Sequence, residues 1–380
     1  MQVSITVPGR WHAFTLAQQL FKRGSLKQLI TSYPKFAVSR WGIPQEKVTT
    51  FVIKEALTRG FQALPAFLKN KYNPQYLILN SFDRFASSKI SKTDILVAFS
   101  GSALSTLKAA KKLGAITVLE RGSSHICFQS NILTQEYELF GFKYKATHPR
   151  IIEKELLEYS EANYISIPSS FVRKTFVTNK VDDNKLIQIP FGVDLGEFKK
   201  IPKVDNVFRV IYAGGLSLRK GVYYLLKAFS DLSLPKSELL LIGKLTDEIK
   251  PILRKFSGSF RSIGHIPKHE LNRYYSQGSI FVLPSVEEGM ALVQLQAMAC
   301  GLPLISTTNT GAEDFIEDGK EGFIIPIRSV EAIKEKILFF YENPEKRELM
   351  SAAAQRKVEC GFTNNDYGDR IFAAYKNILT

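Results

Sequence analysis

Short runs of β-branched and other apolar residues alternate with longer amphipathic stretches, first in one half of the chain and then in the other. Parallel strands need crossover connections of a dozen or more residues, usually helical, so this spacing restricts the chain to an α/β fold with parallel sheets. The pattern predicts strands at residues 2–7, 94–99, 116–119, 164–167 and 186–189, then at 208–213, 238–242, 279–283, 303–306 and 322–325. Between the two sets, Ile189-Pro-Phe-Gly-Val-Asp194 breaks the periodicity with proline and glycine. The expectation is two Rossmann-like doubly wound domains facing a central cleft, residues 1–190 and 191–364, followed by an amphipathic helix at about 365–380. In such sheets ligands bind outside the carboxyl ends of the strands, so useful residues should follow strands.

Charge narrows the class of partner. The 51 Lys and Arg exceed the 36 Asp and Glu by 15. Residues 1–190 hold 26 basic and 13 acidic side chains, a balance of +13, and residues 191–380 hold the remaining 25 and 23, only +2. A basic half suits nucleic acid, an acidic lipid surface or a phosphorylated substrate. No helix-turn-helix, zinc-finger or RNA-recognition signature accompanies it, so nucleic acid is not expected as a partner. Cys127, Cys300 and Cys360 lie far apart, which indicates neither a disulfide framework nor a zinc site. With no apolar run near the ~20 residues of a spanning helix and no secretory leader pattern, a cytoplasmic chain is expected. Residues 54–72 place Leu57, Phe61, Leu64, Phe67 and Leu68 at helical intervals beside Lys54, Arg59, Lys69 and Lys71. That combination suits a peripheral segment on an anionic membrane, at the inner face, although a helix buried against its own domain has the same spacing.

Four segments after predicted strands carry candidate chemistry. In residues 284–303, Glu288 and Gly289 occupy a turn, and the amides of Met290, Ala291 and Leu292 open a helix. Unpaired amides at a positive helix end suit a diphosphate, and a carboxylate just before them can accept hydrogen bonds from sugar hydroxyls. Read as structure alone, Glu288 is a helix-capping carboxylate. Residues 212–222 form a glycine turn, Gly214 and Gly215, followed by the cations Arg219 and Lys220; no Gly-x4-Gly-Lys-Ser/Thr is present, so a P-loop is excluded. Glu120-Arg-Gly-Ser-Ser-His125 puts Arg121 and His125 just past a strand, and Val7-Pro-Gly-Arg-Trp-His12 does the same for Gly9, Arg10 and His12. No Asp-x-Asp is present, and no metal site is expected.

Residues 284–303 resemble the Glu-x7-Glu signature of family 4 (group 1) retaining glycosyltransferases of the GT-B fold, with Glu288 at the first glutamate and Gln296 at the second. The resemblance implies that Glu288 contacts hydroxyls of the donor sugar and that Gln296 contacts the nucleotide ribose, without charge assistance. Residues 212–222 are similar to the family's Gly-Arg-Leu-x3-Lys-Gly loop, whose cations neutralise the departing diphosphate. Lys220 matches the lysine, Gly215 stands where the arginine is usual, and Arg219 is expected to supply that charge from another direction. His125 is implied to reach the donor sugar across the cleft, with Arg121 in the same region. Gly264-His-Ile-Pro-Lys268 looks like the loop beside the nucleobase, making Ile266 a donor contact, and Gly243 ends a strand that opens toward the nucleotide. Gly9, Arg10 and His12 resemble the acceptor-side loop without its Gly-Gly pair, and the terminal helix is expected to cross back onto the first domain.

What the resemblance implies is a metal-independent, retaining glycosyltransferase of the hexosyltransferase type, working in glycolipid, polysaccharide or other glycoconjugate synthesis. Its donor is a nucleoside diphosphate sugar acting as co-substrate, with no cofactor, and its acceptor is a carbohydrate or lipid-linked hydroxyl. The alternatives are a nucleotide-sugar epimerase or sugar phosphorylase of the same fold, a basic nucleic-acid-binding protein, and an inactive homologue.

Overall fold

A computed structural model describes residues 1–64, 73–144 and 147–380. Among them, two parallel sheets form. The first holds β1 (Val3–Val7), β2 (Leu26–Thr31), β3 (Val48–Thr50), β4 (Ile95–Phe99), β5 (Ile116–Glu120), β6 (Tyr164–Ile167) and β7 (Leu186–Gln188), in the order β3-β2-β1-β4-β5-β6-β7. The second holds β8 (Phe208–Ala213), β9 (Ser237–Ile242), β10 (Arg261–Gly264), β11 (Ile280–Leu283), β12 (Leu304–Thr307) and β13 (Gly322–Ile325), in the order β10-β9-β8-β11-β12-β13. Strands β1, β4, β8, β11 and β12 are buried along their whole length. Helices on both faces produce that burial, which is why these strands read as unbroken apolar runs rather than alternating ones.

Three strands, β2, β3 and β10, go beyond the sequence expectation. Strand β2 carries Lys27 and Gln28 in its middle, where the Gln28 amide donates to Thr49 Oγ1 at 2.9 Å. Strands β3 and β10 are short outer strands, and Arg261 and Ser262 of β10 are exposed. Their polar residues weaken the apolar signal that marks the central strands.

The strand order decides where a ligand can sit. Strand order reverses between β1 and β4 in one sheet and between β8 and β11 in the other, and the loops leaving such strands diverge to open a crevice. Chain crossings keep the two lobes together. After β7 the chain runs into the second lobe, and helix Asn364–Asn377 returns to lie on helix Ala13–Lys22 of the first. Its start is fixed by a capping box between Thr363 and Asp366, and Arg23 holds its side through Asp369 at 2.6 Å. A second tie is Glu136 of lobe one, wholly buried, which accepts from the Tyr224 hydroxyl at 2.9 Å and from Arg328 Nε at 2.6 Å. Among the described residues no helix is long and apolar enough to cross a membrane.

Helix Ile53–Ala63 departs from the usual arrangement in having no buried residue. Ile53, Ala56, Leu57, Gly60 and Leu64 face solvent, while Lys54, Glu55, Thr58 and Phe61 are half-buried. The core-facing reading of residues 54–72 therefore does not hold for the part described; residues 65–72 lie outside the described residues.

Candidate active site

Two loops of the second lobe carry the charged residues. The loop after β8 turns on Gly214 and Gly215 and delivers Arg219 and Lys220 to the start of helix Val222–Leu232. The loop after β11 delivers Glu287 and Glu288 to the start of helix Leu292–Ala299, whose N-terminal end no side chain caps. A backbone bond sets the two loops against each other, Val286 N donating to Arg219 O at 2.9 Å, and a second ties the acidic loop to the segment after β12, Glu288 N donating to Asn309 O at 2.9 Å. Gly243, at the end of β9, is pressed against this turn, and a Cβ there would lie 1.7 Å from the Gly214 carbonyl oxygen.

These loops meet lobe one across a cavity of about 390 Å³, lined by Trp11, His12, Phe99, Glu120, Gly122, Ser123, Arg219 and Glu288 among others. It lies where the strand order reverses in each sheet. Here the lobes touch: Gly289 packs so tightly on residue 122 that a Cβ would stand 2.0 Å from the Gly122 carbonyl oxygen. Ser169 Oγ of lobe one also donates to the Gly289 carbonyl at 2.7 Å.

Within the site the Lys220 ammonium pairs with the Glu288 carboxylate, and Arg219 Nη2 lies 3.7 Å from the same carboxylate. Burial pulls the Lys220 pKa down to about 7; the Arg219 charge pushes the same way, and Glu287 opposes both. Glu287 is buried, which alone would raise its pKa. Arg219 and hydrogen bonds from Ser124, Gln129 and Ser123 outweigh that and bring it to about 2. Two cations and two carboxylates thus gather at the cleft wall, Arg219 and Glu288 lining the cavity and Lys220 and Glu287 paired with them behind it.

The other expected residues divide. Met290 and Ala291 are buried at the neck of helix Leu292–Ala299, and Met290 Sδ accepts from Phe191 N at 3.3 Å. Gln296 is buried, its Oε1 3.5 Å from the Tyr275 hydroxyl. Gly214, Gly215, Gly243 and Ile266 follow β8, β9 and β10, at the carboxyl edge of the second sheet. Arg121 touches the cavity but is spent on structure: Nη1 pairs with Glu155 at 2.7 Å, and Nε and Nη2 donate to Ser124 O. Arg10 lies over the Trp41 ring at 5.7 Å, and Gly9 accepts from Thr31 Oγ1 at 3.2 Å. Neither lines the cavity.

His125 requires a correction. It caps helix Ile126–Leu139, with Nδ1 accepting from Cys127 N at 3.3 Å, and its ring is wedged between Tyr159 and Phe176 at 5.0 and 5.1 Å. Burial, reinforced by Arg121, lowers its pKa to about 4, so it is a neutral structural group away from the cavity. The histidine that does face the cleft is His12, whose Nε2 bonds Glu120 Oε1 at 3.0 Å. Glu287, Glu120, Ser123, Ser124 and Gln129 escaped the sequence reading. The doubled acid Glu287-Glu288 was the one available signal.

Comparison with known proteins bears on this geometry. Residues 196–357 match the family model described as glycosyl transferases group 1. The chain is 26% identical over 259 residues to the capsular polysaccharide biosynthesis glycosyltransferase CapM of Staphylococcus aureus, covering 63% of this chain and 67% of that one. The first curated relatives are spanned over 30% to 67% of their own length. Among solved structures, sucrose-phosphate synthase from Thermosynechococcus elongatus superposes with a TM-score of 0.74 at 16% identity, over 100% of this chain and 99% of that one. Anabaena Alr3699/HepE in complex with UDP-glucose superposes with a TM-score of 0.72 at 16% identity, over 99% of this chain and 100% of that one.

Proposed function

Residues 196–357 carry the group 1 glycosyl transferase domain, in a chain with the GT-B fold throughout, and from that premise we propose that the protein transfers a sugar from a nucleoside diphosphate donor to an acceptor hydroxyl. The observation that carries the reading is the meeting of Arg219 and Glu288 on the wall of one interlobe cavity, with Lys220 paired to Glu288 behind that wall, at the neck of an uncapped helix start. Breaking the anomeric bond builds negative charge on the diphosphate, and cations and amides positioned beforehand stabilise charge that develops in the transition state. Lys220, Arg219 and the helix amides from residue 290 onward take that role. Glu288 holds the sugar hydroxyls once the diphosphate has drawn Lys220 toward itself.

The reaction retains anomeric configuration, the departing phosphate helping to deprotonate the acceptor, and needs neither metal nor cofactor. In support, the chain's own cations stand where the charge develops. Hexose donors and acceptors of the glycolipid, polysaccharide or glycoconjugate class fit this scheme. The chain works on the cytoplasmic side, against an anionic membrane surface, with the solvent-facing apolar stripe of helix Ile53–Ala63 as the contact. The deciding experiment measures nucleotide release from a panel of nucleotide sugars. Release that depends on an added acceptor, with transfer product of unchanged anomeric form, supports the reading. Isomerised donor, or phosphate-dependent cleavage, favours an epimerase or a phosphorylase.

A further inference from the structure

Glu287 has no part in the scheme above, yet it is the most heavily bonded carboxylate of the cleft. Oε1 accepts from Ser123 Oγ at 2.8 Å, Ser124 Oγ at 2.6 Å and Ser124 N at 3.3 Å. Oε2 accepts from Gln129 Nε2 at 3.0 Å and Arg219 Nε at 2.9 Å. Four of these five donors belong to lobe one and the fifth to lobe two. The side chain is 0% exposed, and a buried anion is tolerated only when it is paired and fully hydrogen-bonded.

We propose that Glu287 is a positioning residue that fastens the segment around Ser123–Gln129 of lobe one to Arg219 of lobe two, so that lobe closure and presentation of the cleft cation are one event. Arg219 Nε is engaged twice by residue 287, through Oε2 at 2.9 Å and the backbone oxygen at 3.1 Å. Using Nε in this way leaves the guanidinium fork to the cavity, where Nη2 lies 3.7 Å from Glu288. A planar fork oriented by its inner nitrogen suits bidentate recognition of a phosphate. The acid also answers a question of charge. Gly215 leaves one turn of the loop without a cation, and Glu287 is what aims the Arg219 charge from four residues further on. Opening the lobes withdraws Ser123, Ser124 and Gln129, leaving a carboxylate with Arg219 as its one remaining side-chain partner. The guanidinium would then fold onto Glu287 rather than face a ligand.

The ligand part of this inference rests on the glycosyltransferase reading; the closure part does not. The test compares the full-length parent with Glu287→Gln, Ser124→Ala, Arg219→Gln and the Ser124→Ala/Arg219→Gln pair. UDP-glucose and GDP-mannose serve as probes in calorimetric titrations, and solution X-ray scattering reports lobe separation. Ser124 is not among the residues lining the cavity, yet Ser124→Ala should weaken binding of the accepted donor about tenfold, because a hydrogen bond to a buried charge is lost. In the Arg219→Gln background the same change should cost less than about twofold, since both act through Glu287. Glu287→Gln should weaken binding about a hundredfold and widen the scattering envelope. Independent, multiplying effects of Ser124→Ala and Arg219→Gln would overturn the proposal, as would unchanged affinity in Ser124→Ala. If the parent binds neither probe, these two donors are excluded and scattering decides alone: a wider envelope for Ser124→Ala supports the latch, and an identical one refutes it.

Discussion

Lys220 should make donor binding depend on pH in a window where few side chains titrate. Its free-state pKa is about 7 because burial and the adjacent Arg219 disfavour the charged form. A bound pyrophosphate stabilises the ammonium and moves that pKa upward. The sign follows: above pH 7 the free protein must take up a proton to bind, so affinity falls as pH rises. At pH 7 about half the lysine is charged, and at pH 8.5 about 3%, which weakens donor binding about fifteenfold between the two. At pH 8 roughly 0.9 proton should be taken up for each donor bound. Calorimetry in two buffers of different ionisation enthalpy reads that number directly. A nucleoside diphosphate sugar is the right titrant, since its pyrophosphate diester has no ionisation of its own there. Lys220→Arg, charged throughout, should bind with little pH dependence. Affinity that stays flat from pH 7 to 8.5 with no proton uptake in the parent would refute the lowered pKa of free Lys220 on which this reasoning rests.

Four further outcomes are expected. Gly289→Ala puts a methyl 2.0 Å from the Gly122 carbonyl and should lower kcat/KM at least about a hundredfold by holding the lobes apart, read from steady-state kinetics and from an enlarged scattering radius. His125→Ala should cost about 2–3 kcal/mol of stability by denaturant unfolding with kcat within twofold of the parent, whereas His12→Ala, in the cleft, should lower kcat about tenfold and also lower Tm, because it removes the hydrogen-bond partner of buried Glu120. Activity should survive EDTA without rescue by magnesium or manganese; loss and rescue would show that a metal shares the diphosphate. Vesicles containing anionic lipid should retain the chain on sedimentation, and Leu57→Glu together with Ile53→Glu should release it, each substitution setting a charge in the exposed apolar stripe.

Much of the architecture was readable because buried parallel strands are unbroken apolar runs. Ile95–Phe99 and Ile280–Leu283 announce themselves in this way, and the proline and glycine at 190–192 mark the passage between lobes. The strands not foreseen are Leu26–Thr31, whose apolar run is broken by Lys27 and Gln28, and the outer strands Val48–Thr50 and Arg261–Gly264, whose partly exposed residues resemble loop sequence. At the site, Lys220 and Glu288 stood out because each sits in a short run whose spacing means something locally. Glu287 could not, because its meaning depends on Ser123, Ser124 and Gln129, more than 150 residues away in sequence and adjacent only after the lobes close. His125 and His12 show the same limit from the other side. Both are N-cap residues of the helix after a strand, but His125 turns its ring onto Cys127 N, whereas His12 makes no capping bond and reaches Glu120 in the cleft, a difference that no local pattern announces.

A structure of the protein with a nucleoside diphosphate sugar bound is the most direct test of the central claim, which is that the crevice at the two strand-order reversals grips the donor by its pyrophosphate. The expected result is a pyrophosphate within about 3 Å of Lys220 Nζ and of the amides opening helix Leu292–Ala299, with Glu288 turned from Lys220 to the sugar hydroxyls. A donor bound elsewhere, with Lys220 still paired to Glu288, would contradict it.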